Sequence, residues 1–272
     1  MIKLEHFVGP SPEQMKFIIE GMRNPMNSWD KSDSLYYAQE VRDDDSIKHS
    51  DFLLGEQDHR LMLKLAKAGT DHRKYLRMIP VMVRITAPLY WWKEFDTYKV
   101  GTVANSCSTM HKIQEKEFTL EDFSCEHLVN HVNGPVLLGD SISVSTDCGD
   151  SYLDYDMYPS NVLDVIIEGL NKYRKKFIET NNKDYWWQMI QLLPSSYNQT
   201  RNVMMNYEVL ANIYKSRKDH KLGEWREFCK WIEMLPWSEL ICDWDMNEEP
   251  KEEIEDFSKA MNPPEGDDSN GQ

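Results

Sequence analysis

The chain has 272 residues, with 31 Lys and Arg against 46 Asp and Glu for a net charge of −15, and 40% of its residues are hydrophobic. That length and apolar share support a folded protein with a substantial core, while the acidic balance excludes nucleic-acid binding through a broad basic surface. No run approaches the roughly 18 apolar residues of a membrane span, and the N-terminal MIKLEHF lacks a signal peptide's basic and apolar regions, so a soluble cytoplasmic protein with no membrane partner is expected.

The charge is uneven. From Asp243 onward eleven acidic side chains face two lysines, so −9 belongs to the tail and −6 to the rest. Residues 1–242 read as one domain and 243–272 as an acidic, partly disordered tail. Five scattered cysteines, Cys107, Cys125, Cys148, Cys229 and Cys242, with no CxxC pair, fit reduced thiols.

In chain order, residues 1–7 alternate as a strand does, and Ser11 with Glu13 and Gln14 opens a helix through Met22 whose apolar stripe is Phe17, Ile18 and Met22. Residues 24–50 are polar and turn-rich, with Tyr36, Tyr37 and Arg42 able to approach a ligand. A helix is expected over 53–68, ended by Gly69, with Leu61, Leu65 and Ala68 inward and Leu54 and Met62 flanking. Residues 79–85, rich in β-branched side chains, predict a largely buried strand that hands over at Ala87-Pro88 to a helix bearing Tyr90, Trp91, Trp92 and Phe95. The run from Gly101 to Met110 then switches to Thr102, Asn105, Ser106, Cys107, Ser108 and Thr109, side chains suited to a polar pocket or to a plain Ser/Thr-rich loop.

Thr119 and Asp122 predict a helix start carrying Phe123, Leu128 and Val129. Cys125, His127 and His131 have poor spacing for a metal, since Cys125 points to another face and no fourth ligand is evident. Residues 134–159 read as an inserted loop or hairpin, and their glycines lack phosphate-loop spacing. Further helices are expected from Val162 to about Thr180, from Asp184 to Leu193, from about Ser196 to Ser216, and from Glu224 to Leu235. The fold class is α/β (α+β), a small central sheet holding the 79–87 strand, flanked by long helices.

The strand ending in Ala87-Pro88, the aromatic helix and the polar segment after it resemble the signature region of the flavin-dependent thymidylate synthases, an Arg-His-Arg motif, seven residues, then Ser-x-Arg. Counted from Ala87-Pro88, the three basic positions fall on Thr97, Tyr98 and Lys99, and the Ser-x-Arg positions on Cys107 and Thr109. Residues 67–72 resemble the region carrying that family's flavin-contacting histidine, with His72 as its counterpart. Leu193-Pro194 followed by Arg217-Lys218-Asp219 resembles the block whose arginine holds the pyrimidine nucleotide. The resemblance covers residues 51–113 and 192–236.

It implies FAD as cofactor, NADPH and methylene-tetrahydrofolate as co-substrates, dUMP or a related pyrimidine nucleotide as substrate, and a homotetramer with sites shared between subunits. Arg217 is then the nucleotide clamp, with Cys107 and Ser108 beside the substrate, and His72, Tyr98, Lys99 and Arg201 toward the flavin. Cys107, in the serine's place, is either a nucleophile that adds to the pyrimidine ring or a small spacer. Because Thr97-Tyr98 replaces two basic residues, three readings stay open: reductive one-carbon transfer to dUMP, nucleotide or flavin binding with that synthesis lost or changed, or a purely structural oligomeric protein.

Overall fold

The computed structural model describes residues 2–40, 48–128, 142–147 and 152–243. The chain divides into two compact units that alternate along the sequence: the first takes Met1–Lys3, Arg84–Thr97 and Asn105–Asn202, the second Leu4–Val83, Tyr98–Ala104 and Val203–Gln272. The architecture is α+β, as the sequence indicated. A small sheet runs in the order β1 (Lys3–Val8), β4 (Pro80–Pro88), β8 (Asn198–Asn206), β5 (Val103–Ser106). Hairpins β2–β3 (Leu35–Glu40 and Lys48–Leu53) and β6–β7 (Ile142–Asp147 and Tyr152–Met157) pair antiparallel.

In the second unit, α1 (Pro12–Arg23) begins at the expected cap, where Ser11 Oγ accepts from the Gln14 N–H and the Gln14 side chain accepts from the Ser11 N–H. Met15, Ile18, Ile19 and Met22 are its buried face, whereas Phe17, expected inward, is 64% exposed. Helix α2 (Glu56–Lys67) starts later than expected because Leu53 ends β3 and Gly55 is the N-cap. Its inward residues are Met62, Leu65 and Ala66, so Met62 is central and not flanking. Gly69 follows the cap at φ +101°, the left-handed region a glycine tolerates.

Asp58, fully buried in α2, organises the turn before the β2–β3 hairpin. Its carboxylate accepts from Arg23 Nε at 2.6 Å, Ser32 Oγ at 2.6 Å, Ser34 Oγ at 2.6 Å and the Ser34 N–H at 3.1 Å. With Arg23 itself 4% exposed, this is a buried ion pair whose remaining lone pairs are satisfied.

Strand β4 buries Val81, Val83, Ile85 and Ala87 and exposes Met82 and Arg84, so it is covered on one face where the sequence read as largely buried. The expected long helix from 196 to 216 is corrected: residues 198–206 form β8, and α6 (Tyr207–Arg217) begins only after Asn206. Period-2 burial decides it, with Gln199, Val203 and Met205 inward and Met204 outward. Asn206 then caps α6 by accepting from the Val209 N–H at 3.0 Å. Helices α7 (Gly223–Glu233) and α8 (Glu239–Cys242) also belong to this unit, with Trp225, Phe228 and Ile232 buried on α7.

In the first unit, α3 (Leu89–Phe95) buries Trp91, Trp92 and Phe95 as a mutual ring cluster with centroids 4.9–5.3 Å apart. Helices α4 (Pro159–Thr180) and α5 (Lys183–Leu192) close a second cluster, in which Leu163, Leu170 and Met189 pack with Ile113, Phe118 and Phe123. The helix expected after Thr119 is corrected to one 3-10 turn, Leu120–Asp122: the capping box forms, but Phe123 is extended and bridges to Tyr197. Val129, His131, Cys148, residues 244–272 and much of 134–159 lie outside the described residues.

Candidate functional site

Four of the candidate residues, His72, Tyr98, Lys99 and Arg217, belong to the second unit. Arg217 occupies the last turn of α6, where a cation also suits the helix dipole. Its Nε donates to Tyr98 Oη at 2.9 Å, and the guanidinium carbon lies 4.8 Å from the Trp225 ring and 5.7 Å from the Tyr98 ring. Tyr98 and Trp225 meet edge to face at 6.0 Å, and His220 packs on Trp225 at 6.3 Å. The arginine is thus held against two aromatic side chains, of which Trp225 is fully buried, so the protein itself sets its orientation.

The loop that carries Tyr98 is fitted to the other end of α6. Gly101, at φ +79°, lies where an added Cβ would come within 2.9 Å of Asn206 Nδ2 and 3.1 Å of Val209 Cγ2. Lys99 is exposed, and its carbonyl accepts from the Thr102 N–H. His72 sits half-exposed in the turn after α2, with its N–H donating to Gly69 O at 3.2 Å.

Cys107, Ser108 and Arg201 belong to the first unit. The buried Gln199 amide joins two of them: its Nε2 donates to Cys107 O at 2.9 Å and its Oε1 accepts from Arg201 Nε at 3.0 Å. Those two bonds fix which end of the amide is oxygen. The Cys107 N–H donates to Thr200 O at 2.9 Å, so the cysteine's backbone is tied to β8 through both its N–H and its C=O. Arg201 also pairs with Asp96 at 2.7 Å and lies 4.2 Å over the Trp92 ring, whose Nε1 donates to Gln199 O.

Cys107 and Ser108 are exposed, as are Asn105 and Ser106 of β5, so this stretch is open to solvent. Ser108 Oγ accepts from the His111 N–H at 2.9 Å. Gln199, Asp96 and Trp225 are the members of these two clusters that the sequence did not single out; Trp225 read simply as core. A cleft of about 570 Å³ in the second unit, lined by Trp29, Tyr36 and Phe52 with Lys16 and Glu20, contains none of the seven candidates. Among the described residues no group of three His, Cys, Asp or Glu is placed to hold a metal, and no helix is long and apolar enough to cross a membrane.

No known sequence family and no curated protein matches the chain. Solved structures do. A crystal structure of thymidylate synthase X (ThyX) from Helicobacter pylori with FAD and dUMP superposes with a TM-score of 0.53 at 15% identity, covering 89% of this chain and 95% of that one. A second structure of the flavin-dependent enzyme from the same organism, also complexed with FAD and dUMP, gives 0.52 at 15% identity, covering 89% and 96%. The likeness therefore spans nearly the whole of both chains, and this protein has a ThyX-like fold.

Proposed function

We propose that this chain binds a flavin and a pyrimidine nucleotide and carries out ThyX-type chemistry, reductive one-carbon transfer to dUMP. The observation that carries the reading is the fold likeness, over 89% of this chain, to two structures of a ThyX that holds FAD and dUMP. Arg217 supports it locally: a guanidinium held by the Tyr98 hydroxyl and against the Trp225 ring is a fixed cation of the kind that suits a phosphate, carboxylate or imide oxygen.

FAD, where bound, supplies the hydride chemistry. The residues present fit its needs in part. Lys99 is an exposed ammonium able to meet a diphosphate as a point charge, and His72 offers an imidazole at a turn. Arg201, directed to flavin in the sequence reading, is held by Asp96, Gln199 and Trp92, so its cofactor role requires exchange of one of those contacts. NADPH and methylene-tetrahydrofolate complete the reaction as co-substrates, and four copies of the 32.1 kDa chain form the assembly in which sites are shared.

A second reading, flavin and nucleotide binding without synthesis, is favoured by one observation. Tyr98, in place of a basic residue, spends its hydroxyl on Arg217. The two separate by experiment. A flavin absorption spectrum in the purified protein is expected under both, whereas tritium release from labelled dUMP and rescue of a thymidine-requiring strain are expected only of the synthase. A protein that binds neither FAD nor dUMP overturns both.

A further inference from the structure

We propose that Tyr98 is a positioning residue for Arg217: its hydroxyl fixes the guanidinium through Nε, so that Arg217 meets an anionic nucleotide in one preset orientation. Three observations converge within the second unit. The first is the hydrogen bond itself, 2.9 Å from Arg217 Nε to Tyr98 Oη, with Trp225 covering the guanidinium at 4.8 Å. Bonded at Nε and stacked on a buried ring, the guanidinium loses the freedom of its long stem.

The second is that Tyr98 is itself held in place. Its loop approaches α6 so closely at Gly101 that the contact with Asn206 and Val209 leaves no room for a Cβ. Asn206 opens α6 and Arg217 ends it, so one short loop is registered against both ends of the same helix.

The third is chemical. The signature motif's histidine falls at position 98, and its protonated form would stand beside Arg217 as a like charge, whereas a phenol offers an oxygen that accepts from Nε. The tyrosine thus supplies an acceptor without adding a positive charge, and it makes Arg217 a more rigid anion receptor. The ligand class that suits such a receptor is a single phosphate monoester or another compact two-oxygen anion, in preference to a polyphosphate that needs several cations.

This inference rests on the nucleotide-binding reading for its ligand but not for its geometry, and the test separates the two. Protein labelled with 15N-arginine is expected to show an Arg217 Nε–H resonance in slow solvent exchange, assigned by its loss in Arg217→Lys. In Tyr98→Phe that resonance should exchange at least several-fold faster while the thermal midpoint stays unchanged. Titration with dUMP should show roughly three- to tenfold weaker binding in Tyr98→Phe, the scale of one ordinary hydrogen bond because the ligand feels the lost bond only through Arg217, and no further loss when Tyr98→Phe is added to Arg217→Ala. An Nε–H signal unaltered by Tyr98→Phe overturns the positioning role, whether or not dUMP binds. An equal loss of affinity in the Arg217→Ala background also overturns it, because Tyr98 would then contact the ligand directly. Wild-type protein that shows the protected Nε–H but no dUMP binding supports the positioning and refutes the nucleotide reading.

Discussion

Gly101 lies against Asn206 at a separation that only a glycine permits: a Cβ there would stand 2.9 Å from the Asn206 amide nitrogen. Asn206 cannot simply swing away, because its Oδ1 caps α6 at the Val209 N–H. Gly101→Ala, at φ +79°, therefore combines backbone strain with a weakened cap and should destabilise the protein by about 1–3 kcal/mol. Chemical denaturation of the variant measures this, and an unchanged midpoint would show that the loop is not seated on α6.

Asp58→Ala removes the acceptor of Arg23, Ser32 and Ser34 and leaves a buried guanidinium unpaired. The expected loss is roughly 3–5 kcal/mol, read from urea unfolding followed by tryptophan fluorescence. A cost below 1 kcal/mol would mean that the turn before β2 rearranges to let water reach Arg23.

Glu13 ties the start of α1 to the β2–β3 hairpin. Hydrogen bonds from Ser50 first, then from its own backbone, Tyr36 and Ser11, hold its carboxyl down from the ordinary 4.5 to about 2. A depressed acid contributes stability that is fully present above the ordinary value and is lost as pH falls through the folded value, so this attachment should weaken between pH 4.5 and 2. Protection factors of the hairpin amides, corrected for intrinsic exchange at each pH, should fall across that window, and Glu13→Gln should flatten the dependence. The same pH slope in wild type and Glu13→Gln would assign the acid sensitivity elsewhere.

The thiols should divide sharply. Burial pushes the Cys229 thiol up to about 12 and the Cys242 thiol up to about 11, whereas Cys107 is exposed. Brief iodoacetamide treatment at pH 8, read by peptide mass spectrometry, should modify Cys107 and spare Cys229. If Cys107 is a spacer in the place of a serine, Cys107→Ser should keep or raise turnover. A loss of orders of magnitude would instead establish it as a nucleophile.

The α+β class, the α1 cap, the 79–87 strand and the aromatic helix were legible because each is a local pattern of period, cap residue and proline. Strand β8 was not. Val203 and Tyr207 are four apart, a spacing that keeps one face in a helix and in a strand alike, and Leu210, Ala211 and Tyr214 continue the helical stripe beyond them. Only the outward Met204 between buried Val203 and Met205 separates the two, and that is a fact of packing. The candidate residues were found through a resemblance, but their partners were hidden by distance along the chain. Arg201 meets Asp96 across 105 positions and Arg217 meets Tyr98 across 119, and nothing local to either arginine records the pairing.

The claim on which the functional account turns is that Arg217 holds a pyrimidine nucleotide while flavin is held elsewhere. Calorimetric titration of dUMP into wild type and Arg217→Ala, with the flavin absorption of each sample recorded, tests it most directly. The account predicts that Arg217→Ala weakens dUMP binding by about 1.5–3 kcal/mol with flavin content nearly unchanged, the cost of losing a charge-assisted hydrogen bond. Equal dUMP affinity in the two proteins, or parallel loss of flavin and nucleotide, would contradict it.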